Sequence, residues 1–237
     1  MKFLRAVFAF VSGPFLLIGA APAIAPQSLV ETYAAASLAQ NNRMRGASME
    51  VDIQASLPKL KKKGRLHALR HISALGRITY DALHFEGDGA IKKNVIGRYL
   101  SAEVQSQTGD DQSLAITPAN YKFKYKGLIQ SGGREIHVFQ LTPRKKQVGL
   151  FKGELWLDAG TCLPLRESGR FVKNPSFFLK RVEFVREYEI RDGVAIPRRI
   201  ESVVDTRLVG KAELTIDFRN VALAEDSGEP VAADASE

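Results

Sequence analysis

The chain has 237 residues, 45 % of them hydrophobic and 25 % charged, enough for one good-sized domain or two small ones. A single cysteine excludes any internal disulfide, and a domain of this size needs neither disulfide nor metal to hold its core. The formal net charge of +8 favours anionic partners such as phospholipid head groups, envelope polysaccharide or nucleic acid.

Lys2 and Arg5 precede an apolar run from Ala6 to Ile18, interrupted by Ser12, Gly13 and Pro14. Small residues follow, with Ala21-Pro22-Ala23 as an A-x-A cleavage site. This is the pattern of a secretory signal peptide, with cleavage expected after Ala23. The run is short against the roughly 20 residues a membrane span needs, so an uncleaved anchor is the lesser alternative. Residues 1–23 are therefore read as a signal peptide, 24–221 as one domain and 222–237 as a disordered acidic tail. An exported, periplasmic protein is expected, and export sets nucleic acid aside as a partner. The tail carries Glu225, Asp226, Glu229, Asp234 and Glu237 with no basic or aromatic residue, too little apolar surface to offset its ordering entropy.

Ser28 to Asn41 is predicted as a helix, with Ser28 as N-cap, Glu31 completing a capping box, and Leu29, Tyr33, Ala36, Leu38 and Ala39 near one face. From Ala47 to Leu57 the period becomes two. Met49, Val51, Ile53 and Ala55 alternate with Ser48, Glu50, Asp52 and Gln54, the pattern of a half-buried antiparallel strand with one wet face. Pro58 to Gly64 is predicted as a basic turn, Arg65 to Ser73 as the returning strand and Arg77 to Phe85 as a third. Ala90 to Gln105 returns to helical spacing through Ile91, Val95, Ile96, Tyr99, Leu100 and Val104, weakened by Gly97. Thr108 to Gln112 is predicted as a polar loop.

Strands then dominate. They are expected at Tyr121–Ile129, Arg134–Leu141, Phe151–Leu157, Leu163–Phe171, Phe177–Ile190, Ile196–Val209 and Lys211–Phe218, punctuated by turn signals such as Ser131-Gly132-Gly133 and Arg191-Asp192-Gly193. No parallel crossover pattern appears, and one antiparallel sheet this long must curl, split or close. The expected fold is α+β, mainly antiparallel β: a strongly curved sheet or incomplete β-barrel with two helices on its concave face.

Chemical motifs are sparse. His67 and His71 are four apart, but on a strand that spacing separates them by about 13 Å, too far to share an ion. His84 and His137 stand singly in strands. The mature chain has no G-x-S-x-G, no phosphate-binding glycine loop and no dinucleotide fingerprint. Glu183, Glu187 and Glu189 fall on the wet parity of their strand, and nothing selects two of them as an acid–base pair. Cys162, beside Leu163 and Leu165, is expected to be a buried, inert thiol. No enzyme activity, cofactor or metal is expected.

Arg186 is the exception to the strand pattern, because it shares parity with Val182, Phe184, Tyr188 and Ile190. Either it projects into an apolar interior, where its charge needs a partner, or a bulge at Val185 changes the register, the favoured of the two.

The chain resembles the outer-membrane lipoprotein carrier superfamily, the LolA/LolB-like periplasmic fold. The resemblance lies in Val138-Phe139-Gln140-Leu141-Thr142-Pro143, Gly153-Glu154-Leu155-Trp156-Leu157-Asp158 and Thr161-Cys162-Leu163-Pro164-Leu165-Arg166, with Gly193-Val194-Ala195-Ile196-Pro197 before the last hairpin. It implies an open half-barrel, helices acting as a lid, and a hydrophobic cavity for acyl chains. The candidate cavity lining is then Val182, Phe184, Arg186, Tyr188, Ile200, Val204, Leu214, Ile216 and Phe218. Two basic clusters, Lys61, Lys62 and Lys63 with Arg144, Lys145 and Lys146, are candidate contacts to anionic head groups or a membrane face. The expected partner is a lipid or acylated protein, bound by a monomer. The alternative is an interaction or sensor module of the envelope that carries no cargo and has a packed interior.

Overall fold

The computed structural model describes residues 25–106, 111–174 and 176–224. The proposed signal peptide and the tail beyond Ala224 lie outside the described residues, as does most of the predicted loop at 108–112. Helix α1 spans Pro26–Arg43. Three strands follow: β1 (Ser48–Leu57), β2 (Lys62–Ile72) and β3 (Ile78–Gly87). A helical stretch is built from α2 (Gly89–Ile91), a π turn (Lys92–Ile96) and α3 (Gly97–Ser106). Among the described residues seven strands follow: β4 (Tyr121–Ser131), β5 (Arg134–Pro143), β6 (Phe151–Asp158), β7 (Pro164–Phe171), β8 (Leu179–Arg191), β9 (Val194–Thr206) and β10 (Lys211–Ala222).

All ten strands form one open, curved sheet in the order β3-β2-β1-β10-β9-β8-β7-β6-β5-β4. Every neighbouring pair is antiparallel. Among the described strands only β1 and β10 pair without being neighbours in sequence; Ile53 stands opposite Ile216 and Ala55 opposite Leu214. The edges are β3 and β4, which are consecutive strands. The chain must therefore pass from one edge to the other, and the connection that does so carries α2 and α3. Among the described residues no helix is long and apolar enough to cross a membrane.

The strand alternation puts one apolar parity on the concave face, where two separate cores form. Met49, Val51 and Ile53 of β1 and Ile216 of β10 pack against Ile91 and Ile96 of the helical stretch. Leu29, Val30 and Tyr33 of α1 pack against Tyr121, Phe139, Leu155 and Phe184. Each fully buried aliphatic side chain contributes about 1.5–3 kcal/mol, so these two clusters carry most of the fold's stability.

Several expectations change at the helices. The N-cap of α1 is Ala25 rather than Ser28, with Pro26 in the first turn; the Ser28 hydroxyl instead donates to the Ala25 carbonyl at 2.7 Å. Leu38 and Ala39 face solvent, because Leu29, Val30 and Tyr33 define the buried face. The Gln40 side chain fixes α1 to the sheet by donating to the Ala195 carbonyl and accepting from the Ala195 N–H at 2.8 Å. In the second helical stretch Ile91 and Ile96 are five apart and both fully buried. The π turn makes that possible by adding one residue to the turn. Gly97 fits there because a Cβ would stand 2.9 Å from the Lys92 carbonyl oxygen. Val104, expected on the packed face, is exposed.

Two corrections concern the strands. Asp52, placed on the wet parity of β1, is buried on the outer face beneath Arg65, whose Nε donates to its carboxylate at 2.8 Å. That hydrogen bond holds the Asp52 carboxyl below its ordinary pKa. Lys62 and Lys63 lie in β2 rather than in a loop, opposite Leu57 and Ser56. The turn is only Pro58–Leu60 with Lys61, which adopts a left-handed φ of 53°.

Candidate functional site

Between the two cores the inner face of β8, β9 and β10 is left partly uncovered. A cavity of about 830 Å³ opens there, lined by Val182 and Phe184 of β8, Ile200, Ser202 and Val204 of β9, and Ala212 and Leu214 of β10. Val95, Arg98 and Tyr99 close it from the helical side. Its mouth lies where β1, β7 and β9 end and β2, β8 and β10 begin, and carries Leu57, Leu60, Lys62, Phe171, Phe178 and Leu208. The size suits whole small molecules, whose pockets run to roughly 300–1,000 Å³. The wall is overwhelmingly aliphatic and aromatic.

Of the nine candidate lining residues, the structure brings Val182, Phe184, Arg186, Ile200, Val204 and Leu214 to this cavity. Tyr188, Ile216 and Phe218 share the concave parity but lie beyond it. Ile216 is fully buried in the core to which Ile91 and Ile96 belong, and Phe218 packs against that core. Tyr188 lies deeper than Arg186, within the influence of α1 Tyr33 and of Glu167. Both helices thus fill the trough at that end, and the lining stops at Arg186.

Arg186 forms the floor. The register of β8 against β9 runs without a break from Val182 to Glu187, so the bulge expected at Val185 is absent and the guanidinium projects inward. The shift falls later, between Glu187 and Tyr188. Directly across the β7–β8 ladder stands Glu167, and Arg186 donates to its carboxylate at 3.2 Å. The guanidinium also lies 4.8 Å above the Phe184 ring, a cation–π contact. Glu167 is buried, whereas 40 % of the Arg186 side-chain surface remains accessible because it borders the cavity. Burial alone would lower the pKa of the guanidinium, but the Glu167 charge outweighs it and holds the group above its ordinary value. Burial, reinforced by the same carboxylate, raises the Tyr188 hydroxyl well above the ordinary phenol range. The floor is thus a neutral ion pair bordered by un-ionised phenols.

A second buried pair pins the helical wall. Arg70 of β2 donates to Glu103 of α3 at 3.0 Å, and the Tyr80 hydroxyl donates to the same carboxylate. Tyr99, on the cavity side of that helix, is raised by burial and then by the Glu103 charge.

The basic clusters lie at the same end of the sheet, with β10, β9, β8 and β7 between them. The β1–β2 turn with Lys61 and the β5–β6 connection with Arg144, Lys145 and Lys146 both lie at the mouth end of the sheet. Arg144 is fixed there through its Nε, which donates to the Pro118 carbonyl at 2.7 Å. Lys62 lines the mouth and pairs with Asp88 at 3.2 Å, while Lys63 stands on the outer face. Cys162 is buried in the α1 core, and burial raises its thiol pKa. His71 faces Asp81 at 3.4 Å, and His137 meets the Tyr125 hydroxyl at 3.0 Å. Among the described residues no three His, Cys, Asp or Glu side chains gather as a metal site.

Sequence reasoning missed Glu167, and also the mouth residues Phe178 and Leu208. Glu167 shares the inner face of β7 with Phe171, four residues on across Gly169, and that spacing was the available signal.

The solved structures offer likenesses of architecture. A DUF1329 family protein from Desulfovibrio piger aligns at a TM-score of 0.47 and 13 % identity, covering 85 % of this chain and 93 % of that one. A LolA superfamily protein from Nitrosomonas europaea aligns at 0.42 and 14 %, covering 86 % and 95 %. A provisionally named outer membrane lipoprotein-sorting protein domain from Vibrio parahaemolyticus aligns at 0.43 and 11 %, covering 86 % and 95 %. No family model matches the sequence, and no curated protein matches it. At these identities no residue role passes from those proteins to this one.

Proposed function

We propose that this protein binds the acyl chain of a lipid or lipid-modified partner in the cavity between its two cores, as an exported carrier in the cell envelope. The observation that supports this is the cavity itself: about 830 Å³, apolar along its walls and open at one end of the sheet. A folded chain leaves such a volume unfilled at a cost, since interiors otherwise pack to the density of organic crystals. An acyl chain would recover that loss, at about 0.8 kcal/mol per methylene removed from water. Ten methylenes would supply about 8 kcal/mol before the entropy of association is subtracted. Arg186 and Glu167 at the floor give a polar group a place to end without exposing the cores to bulk water.

A binding role fits better than a catalytic one. Among the described residues none of the four histidines lines the cavity, and the Ser202 hydroxyl donates to the Glu183 carbonyl at 3.1 Å rather than to a base. The export part of the proposal rests on the sequence pattern of residues 1–23. A cargo-free interaction module calls for a filled interior, and β8 to β10 present an open one.

Native mass spectrometry of protein recovered from its own envelope without detergent tests the reading. A lipid adduct is expected on the wild type and none on Val204→Trp, which projects an indole across the lumen and obstructs the acyl path. A clean apo mass for the wild type overturns the proposal.

A further inference from the structure

The mouth of the cavity is also where the surface is most unusual. Three connections meet there: the β1–β2 turn, the β7–β8 loop and the β9–β10 turn. Each lifts an apolar side chain into solvent. Leu60 is 44 % exposed, Phe177 78 %, Phe178 54 % and Leu208 75 %. Single exposed leucines are ordinary, but four large apolar tips around one opening are not.

The tips are held out rather than loosely disposed. Arg207 donates from its Nε to the Phe177 carbonyl at 2.8 Å and from its backbone N–H to the Phe178 carbonyl at 2.9 Å. Its guanidinium also covers the Phe177 ring at 4.6 Å. The Asn174 amide donates to the Leu179 carbonyl at 2.9 Å, closing the other side of that loop. At the β9–β10 turn, Gly210 has a left-handed φ of +81° and lies against the Lys59 side chain, so the two turns touch.

Positive charge surrounds these tips. Lys59 and Lys61 flank Leu60, Lys173 and Arg207 flank the phenylalanines, and Lys145 and Lys146 extend the same end along the sheet. The opposite end is different in kind. Its connections at 44–47, 73–77, 132–133, 159–163 and 192–193 carry only Arg45, Arg77 and Asp192 as charged residues.

We infer that this end docks on an anionic lipid bilayer, with Leu60, Phe177, Phe178 and Leu208 entering the interface and the lysines resting on the head groups. Apolar tips gain from leaving water, and lysine stems reach past them to keep their ammonium groups at the phosphates. Lysine is depleted in protein–protein interfaces, so a lysine collar around phenylalanine and leucine favours a bilayer over a protein face. The cavity opens among the same side chains, so an acyl chain could pass between bilayer and protein without crossing water. This deepens the acyl-binding reading and in that last respect rests on it.

Sedimentation with vesicles tests the surface separately from the cavity. The wild type is expected to bind vesicles of phosphatidylglycerol mixed with phosphatidylcholine, to weaken as salt rises, and to leave vesicles of phosphatidylcholine alone largely unbound. Lys59→Gln and Lys61→Gln should each weaken binding about fivefold. The pair Phe177→Ser and Phe178→Ser should weaken it about tenfold or more, with little change in Tm, because Phe177 is mostly exposed and Phe178 more than half so. Leu75→Ser is the control, being equally exposed but at the opposite end. Val204→Trp should keep vesicle binding while losing its lipid adduct, so the two proposals can fail independently. The docking inference is overturned if the wild type ignores anionic vesicles, or if Leu75→Ser weakens binding as much as the phenylalanine pair.

Discussion

Arg186 and Glu167 face each other across β7 and β8 on the inner side of the sheet. Removing one partner of a buried pair costs roughly 3–5 kcal/mol, because the other charge is stranded. Here Arg186 still reaches water through the cavity, so Glu167→Gln is expected to cost about 2 kcal/mol in urea unfolding. Adding Arg186→Met should restore most of that loss. A single variant as stable as the wild type would show that the pair holds nothing. Arg186 could be singled out from sequence because its charge broke an otherwise apolar parity. Glu167 was less legible, since only its four-residue spacing to Phe171 across Gly169 marked its face. The burial of Asp52 was hidden for a related reason: Arg65, which covers it, comes from the next strand.

At the level of elements, alternation located the strands well because one face of each packs on apolar side chains. It located their ends poorly, since hydrogen bonding carries a strand past the last buried residue. β2 thus begins at Lys62 and β10 runs on to Ala222. The π turn had no sequence signature beyond the five-residue spacing of Ile91 and Ile96. The pairing of β6 with β7 depends on two glycines directly opposite each other, Gly153 and Gly169. A Cβ on Gly153 would fall 1.9 Å from the Ser168 carbonyl oxygen, so the two backbones leave no space for a methyl group. Gly153→Ala should therefore destabilise the protein by about 3 kcal/mol. Gly160→Ala, where the nearest group is the Asp158 carboxylate at 3.5 Å, should change stability by about 0.5 kcal/mol or less. Thermal unfolding of both variants makes the comparison; equal losses would refute the close-approach argument.

For the whole molecule, the sequence disclosed a curved antiparallel sheet with two helices but not its strand order. The order follows from β1 meeting β10, a contact that no local pattern announces. The cavity was equally hidden, because it is the gap between two cores and belongs to no single element. If that gap takes an acyl chain, ligand binding must stabilise the folded state. At a free concentration a hundred times Kd the gain is about 2.7 kcal/mol, roughly 5–10 °C in Tm. Palmitate titrated into the protein should produce that rise in the wild type and leave Val204→Trp unmoved; no rise in either would count against occupancy of the cavity. The same β1–β10 ladder governs how the chain assembles. The hydrophobic face of β1 and β2 is completed by Ala212, Leu214 and Ile216 of β10, far from them in sequence. Bringing such distant segments together costs loop-closure entropy before any contact repays it, and proteins dominated by non-local pairings take milliseconds to seconds to fold. One of the two cores therefore stays unfinished until β10 has joined β1, which ties its cooperativity to the longest-range pairing in the sheet.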